Sequence, residues 1–345
     1  MENSPIPYGI CTLGNDHVYD QIIALLNSIE AMMGPDFPVC IYPYDDRTER
    51  LAAAIVDRPN VQIYADTASM DYWDKQAQRI WDVHPTAALS WQKLTTAKYH
   101  RMGTHRRFCA FDGPFERFIY MDADTLLLND VQPIFDLLDE YDWYVYDFQH
   151  HDITHIYDHN QPQLQQVFTW EQLSQDIFCS GFYGAKRDTF SPEKLDELWQ
   201  LLKDGEAAIL YAMAPDQTIL NYWVMRSGLK IYNPAIQLPA DQTTGCCVTS
   251  NHFEVRDHVA FDRGNQLTYL HYIGLPSSLF KEICAGENWI CAYRELFLHY
   301  RFLHAPEERP QLIGPPQMPP SKYTLKERVL DRLQRYKVAF SPANI

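Results

Sequence analysis

Positive charge is scarce in this chain: 29 Lys and Arg face 45 Asp and Glu across 345 residues, a net charge of −16. A general nucleic-acid binder displaces counterions with arrays of Lys and Arg, so that class is excluded, and any phosphate-bearing ligand must meet a local cation. Long apolar runs are missing too. No uninterrupted stretch approaches the roughly 20 residues that cross a bilayer, and the opening MENSPIPYGICTLG has no basic segment followed by an apolar one. The expectation is a soluble, cytoplasmic protein. The cysteines at 11, 40, 109, 179, 246, 247, 284 and 291 form neither a Cys-x-x-Cys pair nor a tight disulfide framework, which favours reduced core thiols. No internal repeat is present.

Apolar residues are plentiful: 46 % of the chain is hydrophobic and 14 % aromatic, enough for one large domain or two modest ones. Residues 8–13 read as a buried strand, and residues 18–33 carry Ile22, Leu25, Leu26, Ile29 and Met33 at helical steps. Short β-type runs at 39–42, 61–64, 118–121 and 143–146 alternate with helical stretches at about 47–55, 88–102 and 132–140. A strand at 182–185, helices at 192–202 and after Asp216, and a strand at 268–272 follow. The alternation predicts an α/β fold with a largely parallel sheet. Residues 1–304 are expected to form the folded body, 305–321 a proline-rich linker or arm, and 322–345 a basic amphipathic helix. The last carries six basic residues against Glu327 and Asp331 between 322 and 337. Its expected partners are an anionic membrane surface, the acidic body itself, or a second copy in a homo-oligomer.

Phe118-Ile-Tyr-Met-Asp-Ala-Asp runs a hydrophobic strand straight into Asp122 and Asp124. Ligands of open α/β sheets bind beyond the carboxyl ends of the strands. Two carboxylates on the turn that ends a strand converge on one point and suit a hard divalent cation. A late strand delivers His271 and, three residues on, Gly274; imidazole joined to two carboxylates favours Mn²⁺ over Mg²⁺. Cys179-Ser180-Gly181 is a small-residue turn that lets a ligand approach the backbone. Asp216 and Gln217 open a helix, where Asp216 also fits a helix cap.

In this order the elements resemble glycosyltransferase family 8, the retaining nucleotide-sugar transferases that include glycogenin, over about residues 8–280. The resemblance implies a GT-A fold, a single Rossmann-like domain with a mixed, mostly parallel sheet. It also implies transfer of a hexose from a nucleotide-sugar donor, UDP-linked in that family, to an acceptor hydroxyl on a carbohydrate, lipid or protein. By the same resemblance Asp122, Asp124 and His271 hold Mn²⁺ or Mg²⁺, and the stretch from Leu13 through Asn15 and Asp16 to Tyr19 holds the nucleoside, with Tyr19 stacked on the base. Ser180 and Gly181 lie near the donor sugar, Asp216 and Gln217 beside the anomeric carbon, and Gly274 in the metal loop. Lys98, with Lys93 competing for the same place, matches a donor-contacting basic residue on the helix before the Asp-x-Asp. Two positions depart from the pattern: Cys179 stands where the family has Asn, and Ser277 where it has a diphosphate-binding Lys, with Lys281 a turn later.

Breaking the bond between the anomeric carbon and the diphosphate leaves positive charge on the sugar and negative charge on the departing nucleotide. A cation beside the diphosphate would stabilise that charge. Other readings stay open: a nucleotide-sugar binder without turnover, a nucleotide-sugar pyrophosphorylase, or a haloacid-dehalogenase-type phosphohydrolase. The last wants Thr or Val four residues after the first Asp, where this chain has Leu126. His151, His155 and His159, spaced by four, would stack on one helix face as a second metal site. Trp170, Tyr183 and Trp223 are candidates for an acceptor groove.

Overall fold

A computed structural model describes residues 6–95 and 97–319. Its strands begin with β1 (Ile6–Gly14), β2 (Val39–Pro43), β3 (Val61–Ile63), β4 (Phe115–Asp122), β5 (Thr125–Leu127), β6 (Trp143–Val145), β7 (Phe182–Lys186) and β8 (Ile231–Tyr232). Seven of these form one sheet in the order β3-β2-β1-β4-β7-β6-β8, in which β7 alone runs against the rest. This is the mixed, mostly parallel sheet expected. β1 sits between β2 and β4, and its last six residues are buried, as a strand covered on both faces requires.

Helices cover both faces. On one, the helix Tyr19–Met33 buries Ile22, Leu25, Leu26 and Ile29 against Ile119 and Met121 of β4. It stops at Gly34, whose φ of 92° suits glycine and whose N–H closes on the Glu30 carbonyl. The other face is aromatic: Tyr183 stacks on Tyr120 with ring centres 5.1 Å apart and on Trp143 at 4.7 Å. Each such buried ring contributes about 1.5–3 kcal/mol by leaving water.

Two further pairings set up the cleft. After β4 the chain turns through Ala123 and Asp124 into β5, a turn closed by the Thr125 hydroxyl donating to the Asp122 carbonyl at 2.7 Å. Three short antiparallel strands, β9 (Glu254–Arg256), β10 (Val259–Asp262) and β11 (Asn265–Gln266), then lead to β12 (Tyr269–His271). β12 pairs antiparallel with β5 and sets His271 opposite Thr125.

Some expectations are corrected. The helix expected over 88–102 is confined to Ala87–Trp91. Downstream, the Thr95 hydroxyl takes the Ala97 N–H, a local bond that competes with a helix, and the chain resumes as a 3₁₀ helix, Met102–Phe111. A sixteen-residue helix, Thr67–Asp82, was not anticipated; Asp66 caps it, and Trp73, Ala77, Ile80 and Trp81 are its buried stripe. Within the proline-rich segment, β14 (Ile313–Gln317) pairs in parallel with β13 (Glu287–Trp289). The basic segment 322–345 lies outside the described residues. Among those residues no helix is long and apolar enough to cross a membrane, and all eight cysteines are free thiols.

Candidate active site

At the carboxyl ends of β1 and β4 lies a cleft of about 510 Å³. Leu13 and Asn15 from the end of β1, Asp122 and Asp124 from the end of β4, and Ser277 line it. Asp122, Asp124 and His271 each offer a ligand atom, and these atoms lie within 4.8 Å of one another, the one such three-ligand cluster among the described residues. His271 Nε2 is 3.2 Å from Asp124 Oδ1.

The electrostatics are those of a cation site. Burial and the neighbouring Asp124 raise the Asp122 carboxyl, with Arg107 opposing. Against burial, His271 holds the Asp124 carboxyl below its ordinary value. Burial disfavours a charged His271, yet Asp124 and then Cys179 keep its pKa well above the usual histidine range. The donor set of two carboxylates and one imidazole fits a divalent ion such as Mn²⁺.

Gly181 completes this cradle. The Asp122 N–H donates to its carbonyl, so the turn continues the β4–β7 ladder beside the carboxylates. A Cβ there would sit 2.5 Å from His271 Cε1 and 3.0 Å from Asp122 Oδ2. If the cluster holds a divalent ion, Gly181→Ala is expected to fold and to weaken its binding by about 10- to 100-fold, the usual effect of displacing a ligand's support; calorimetric titration with Mn²⁺ measures it.

The cation facing the carboxylates is Arg107, a residue the sequence reading did not single out. Its side chain is 4 % exposed. Nη2 lies 2.9 Å from Asp122 Oδ1 and 3.0 Å from Asp216 Oδ2, and Nη1 donates to the Ser180 carbonyl and hydroxyl, both at 2.9 Å. The guanidinium also stands 4.6 Å from the centre of the Tyr120 ring. Arg101 and Arg47 line the same cleft. A chain of net charge −16 thus places three arginines around one cavity.

Asp216 is behind Arg107, 6 % exposed on its side chain, and does not line the cleft. Burial opposes its charge, but Arg107, Arg101 and His105 bring its pKa from 3.8 to about 2. A depressed carboxyl contributes stability above its unfolded pKa and loses it as pH falls through the folded one. Roughly 2 kcal/mol of unfolding free energy is therefore expected to disappear between about pH 4 and pH 2. Urea titrations across that range should show a flatter pH profile for Asp216→Asn. Gln217 is committed at both ends: Oε1 accepts from the Ser180 N–H and Nε2 donates to the His155 carbonyl, each at 3.0 Å.

Several expected site residues lie elsewhere. Lys98 is 70 % exposed and pairs with Asp82 at 3.0 Å, off the cleft wall, and Lys93 is exposed in a turn. Asp16 caps a neighbouring helix, accepting from the Arg50 and Leu51 N–H groups. The Tyr19 ring is covered by the Arg50 guanidinium at 3.5 Å and does not line the cleft. Gly274 adopts φ 77° in the turn ahead of Ser277, whose hydroxyl lies 2.8 Å from His17 Nε2. The histidine-rich stretch forms two 3₁₀ turns, Gln149–His151 and Ile153–His155, in place of one helix face. Tyr183 and Trp223 belong to the core, at 0 % and 1 % exposure, whereas Trp170 is 65 % exposed.

No protein-family model and no curated protein matches the sequence. Among solved structures, the bifunctional glycosyltransferase WbbM in its apo form superimposes with a TM-score of 0.52 at 13 % identity, over 89 % of this chain and 52 % of that one. The chain thus spans about half the length of WbbM. Mouse xyloside xylosyltransferase 1 gives 0.47 at 12 % identity over 66 % of this chain and 85 % of its own. The galactosyltransferase LgtC, solved with donor and acceptor sugar analogues, gives 0.47 at 15 % over 84 % and 99 %. The fold is that of the GT-A glycosyltransferases.

Proposed function

We propose that this chain is a metal-dependent glycosyltransferase of the retaining kind, moving a hexose from a UDP-sugar to an acceptor hydroxyl. The observation that carries this reading is a two-carboxylate, one-imidazole cluster whose carboxylates, Asp122 and Asp124, line one cleft together with three arginines at the strand ends of a GT-A fold, with His271 buried behind them. Such a cleft suits a ligand with both a diphosphate and a sugar.

Asp122, Asp124 and His271 would hold the divalent cation, which when bound supplies Lewis-acid neutralisation of the departing diphosphate. Arg101 and Arg47 attract the phosphates to the cleft, and Leu13 and Asn15 form its nucleoside end. Arg107 fixes the Asp122 carboxylate from one side and keeps Asp216 ionised on the other. Asp216, salt-bridged and buried, is poorly disposed as a nucleophile; its charge instead favours positive charge developing at the anomeric carbon. The acceptor proton then has its base in the donor's own phosphate oxygen.

Incubation of the full chain with Mn²⁺ and a panel of UDP-sugars tests the reading. UDP release that requires the metal and stops with EDTA is expected for at least one sugar. Thermal stabilisation by donor without release favours the second reading, a nucleotide-sugar binder, to which the burial of Asp216 gives some support. Neither release nor stabilisation with any donor removes both.

A further inference from the structure

The acceptor is unspecified by the reading above, and the best evidence about it lies beside the cleft, in the segment from Phe148 to Ile156. This segment is fixed to the site at both ends. Just ahead of it, buried Asp147 accepts from the Gln149 N–H at 2.6 Å and from the Cys179 N–H at 3.1 Å, tying the segment's start to the Cys179–Gly181 turn. Near its far end, the His155 carbonyl accepts from Gln217, whose other end holds Ser180. Asp152 closes the second turn by accepting from the Thr154 N–H and hydroxyl, and Ile156 and Tyr157 are fully buried anchors.

On this support the outward side chains include, beside the charged Asp152, a group of flat rings. Phe148 is 37 % exposed, and its ring centre lies 6.1 Å from those of both His150 and His151, which are themselves 4.1 Å apart. The helix Trp170–Gln175 packs against the first turn. A capping box between Thr169 and Gln172 fixes its start, so that Trp170, 65 % exposed, stands at its first position. Rigid exposed aromatic rings beside imidazoles combine apolar faces with hydrogen-bonding edges.

We propose that these rings form an acceptor subsite for a saccharide, with Phe148 and Trp170 packing against the apolar faces of sugar rings one or two units from the hydroxyl that is glycosylated. The inference rests on the glycosyl-transfer reading for its place beside the reacting centre. Size selects the occupant. Phe148 and Trp170 together expose apolar area on the order of 200 Å², the footprint of one or two sugar rings, whereas a specific protein interface takes about 800 Å² per partner. The exposed imidazole of His151 offers a polar edge to hydroxyl groups, which a lipid chain lacks.

Saturation-transfer NMR on the full chain tests this, with mono-, di- and trisaccharides of glucose, galactose, mannose, xylose and N-acetylglucosamine as probes. At least one is expected to receive magnetisation, more strongly as a di- or trisaccharide than as a monosaccharide. Trp170→Ala and Phe148→Ala should each weaken that probe's dissociation constant about tenfold, the loss of one ring's contact, and Trp170→Tyr should restore most of it. Circular dichroism verifies that the variants are folded. Binding by no probe overturns the proposal, as does binding that neither alanine variant weakens. Donor cleavage by the unaltered chain without acceptor reports the glycosyl-transfer reading separately, so that cleavage with no saccharide binding sinks the subsite alone.

Discussion

Asp124→Asn is expected to lower Mn²⁺-dependent release of UDP from a donor sugar by on the order of 10²–10³-fold, with the fold retained. The size follows from the electrostatics: a pre-set charge acting on a leaving group in a partly buried cleft is commonly worth several kcal/mol at the barrier. Asp124 lies next to the imidazole and holds it by a direct contact at 3.2 Å. The variant removes one ligand charge and loosens a second ligand. The effect should therefore fall on kcat as well as on metal affinity, and saturating Mn²⁺ should not restore the rate. Steady-state UDP release at several Mn²⁺ concentrations separates the two contributions. A rate within about twofold of the parent would show that the cluster has no part in turnover.

Arg107→Met is expected to destabilise the protein by about 3–5 kcal/mol, because it leaves Asp122 and the buried Asp216 facing each other without their shared counter-charge. It also removes the donors that hold the Ser180 carbonyl and hydroxyl. Arg107→Lys keeps the charge but cannot reach all these acceptors, since a single ammonium lacks the planar fork. An intermediate loss of stability and of donor cleavage is expected for it. Chemical denaturation of both variants at pH 7 checks this, with Lys98→Met as the control. Lys98 is an exposed residue paired with Asp82, and its loss should change neither stability nor activity measurably.

That contrast marks where the amino-acid pattern was readable and where it was not. The Asp122–Asp124 turn was visible because a continuous apolar strand running into two carboxylates is a local feature. His271 could be joined to it only as a residue type that suits the same ion, since the contact itself depends on β12 lying antiparallel to β5 across more than a hundred residues. Lys98 was named through the resemblance, which puts a basic residue on a helix before the Asp-x-Asp; here the helix ends at Trp91, and Arg107 comes in on a 3₁₀ segment. A sequence signal for Arg107 existed, namely Arg101, Arg106 and Arg107 clustered shortly before the Asp-x-Asp strand of an acidic protein. Tyr19 and Asp16 are engaged by other partners for a different reason. Their partner Arg50 lies more than thirty residues away, and nothing local reveals that its guanidinium covers the tyrosine ring or that its N–H occupies the aspartate. Gln217 was singled out in the sequence, but its commitment to Ser180 and His155 emerges only from the packing of three separate segments.

The claim underlying all of this is that Asp122, Asp124 and His271 act as one cation site beside Arg107. Anomalous diffraction at the manganese edge, from crystals of the full chain grown with Mn²⁺ and UDP, tests it most directly. The account predicts a single strong peak bonded to all three side chains, with the diphosphate between that peak and the cleft arginines. A manganese peak bound elsewhere, or nucleotide seated in the cleft with His271 turned away from the metal, would contradict it.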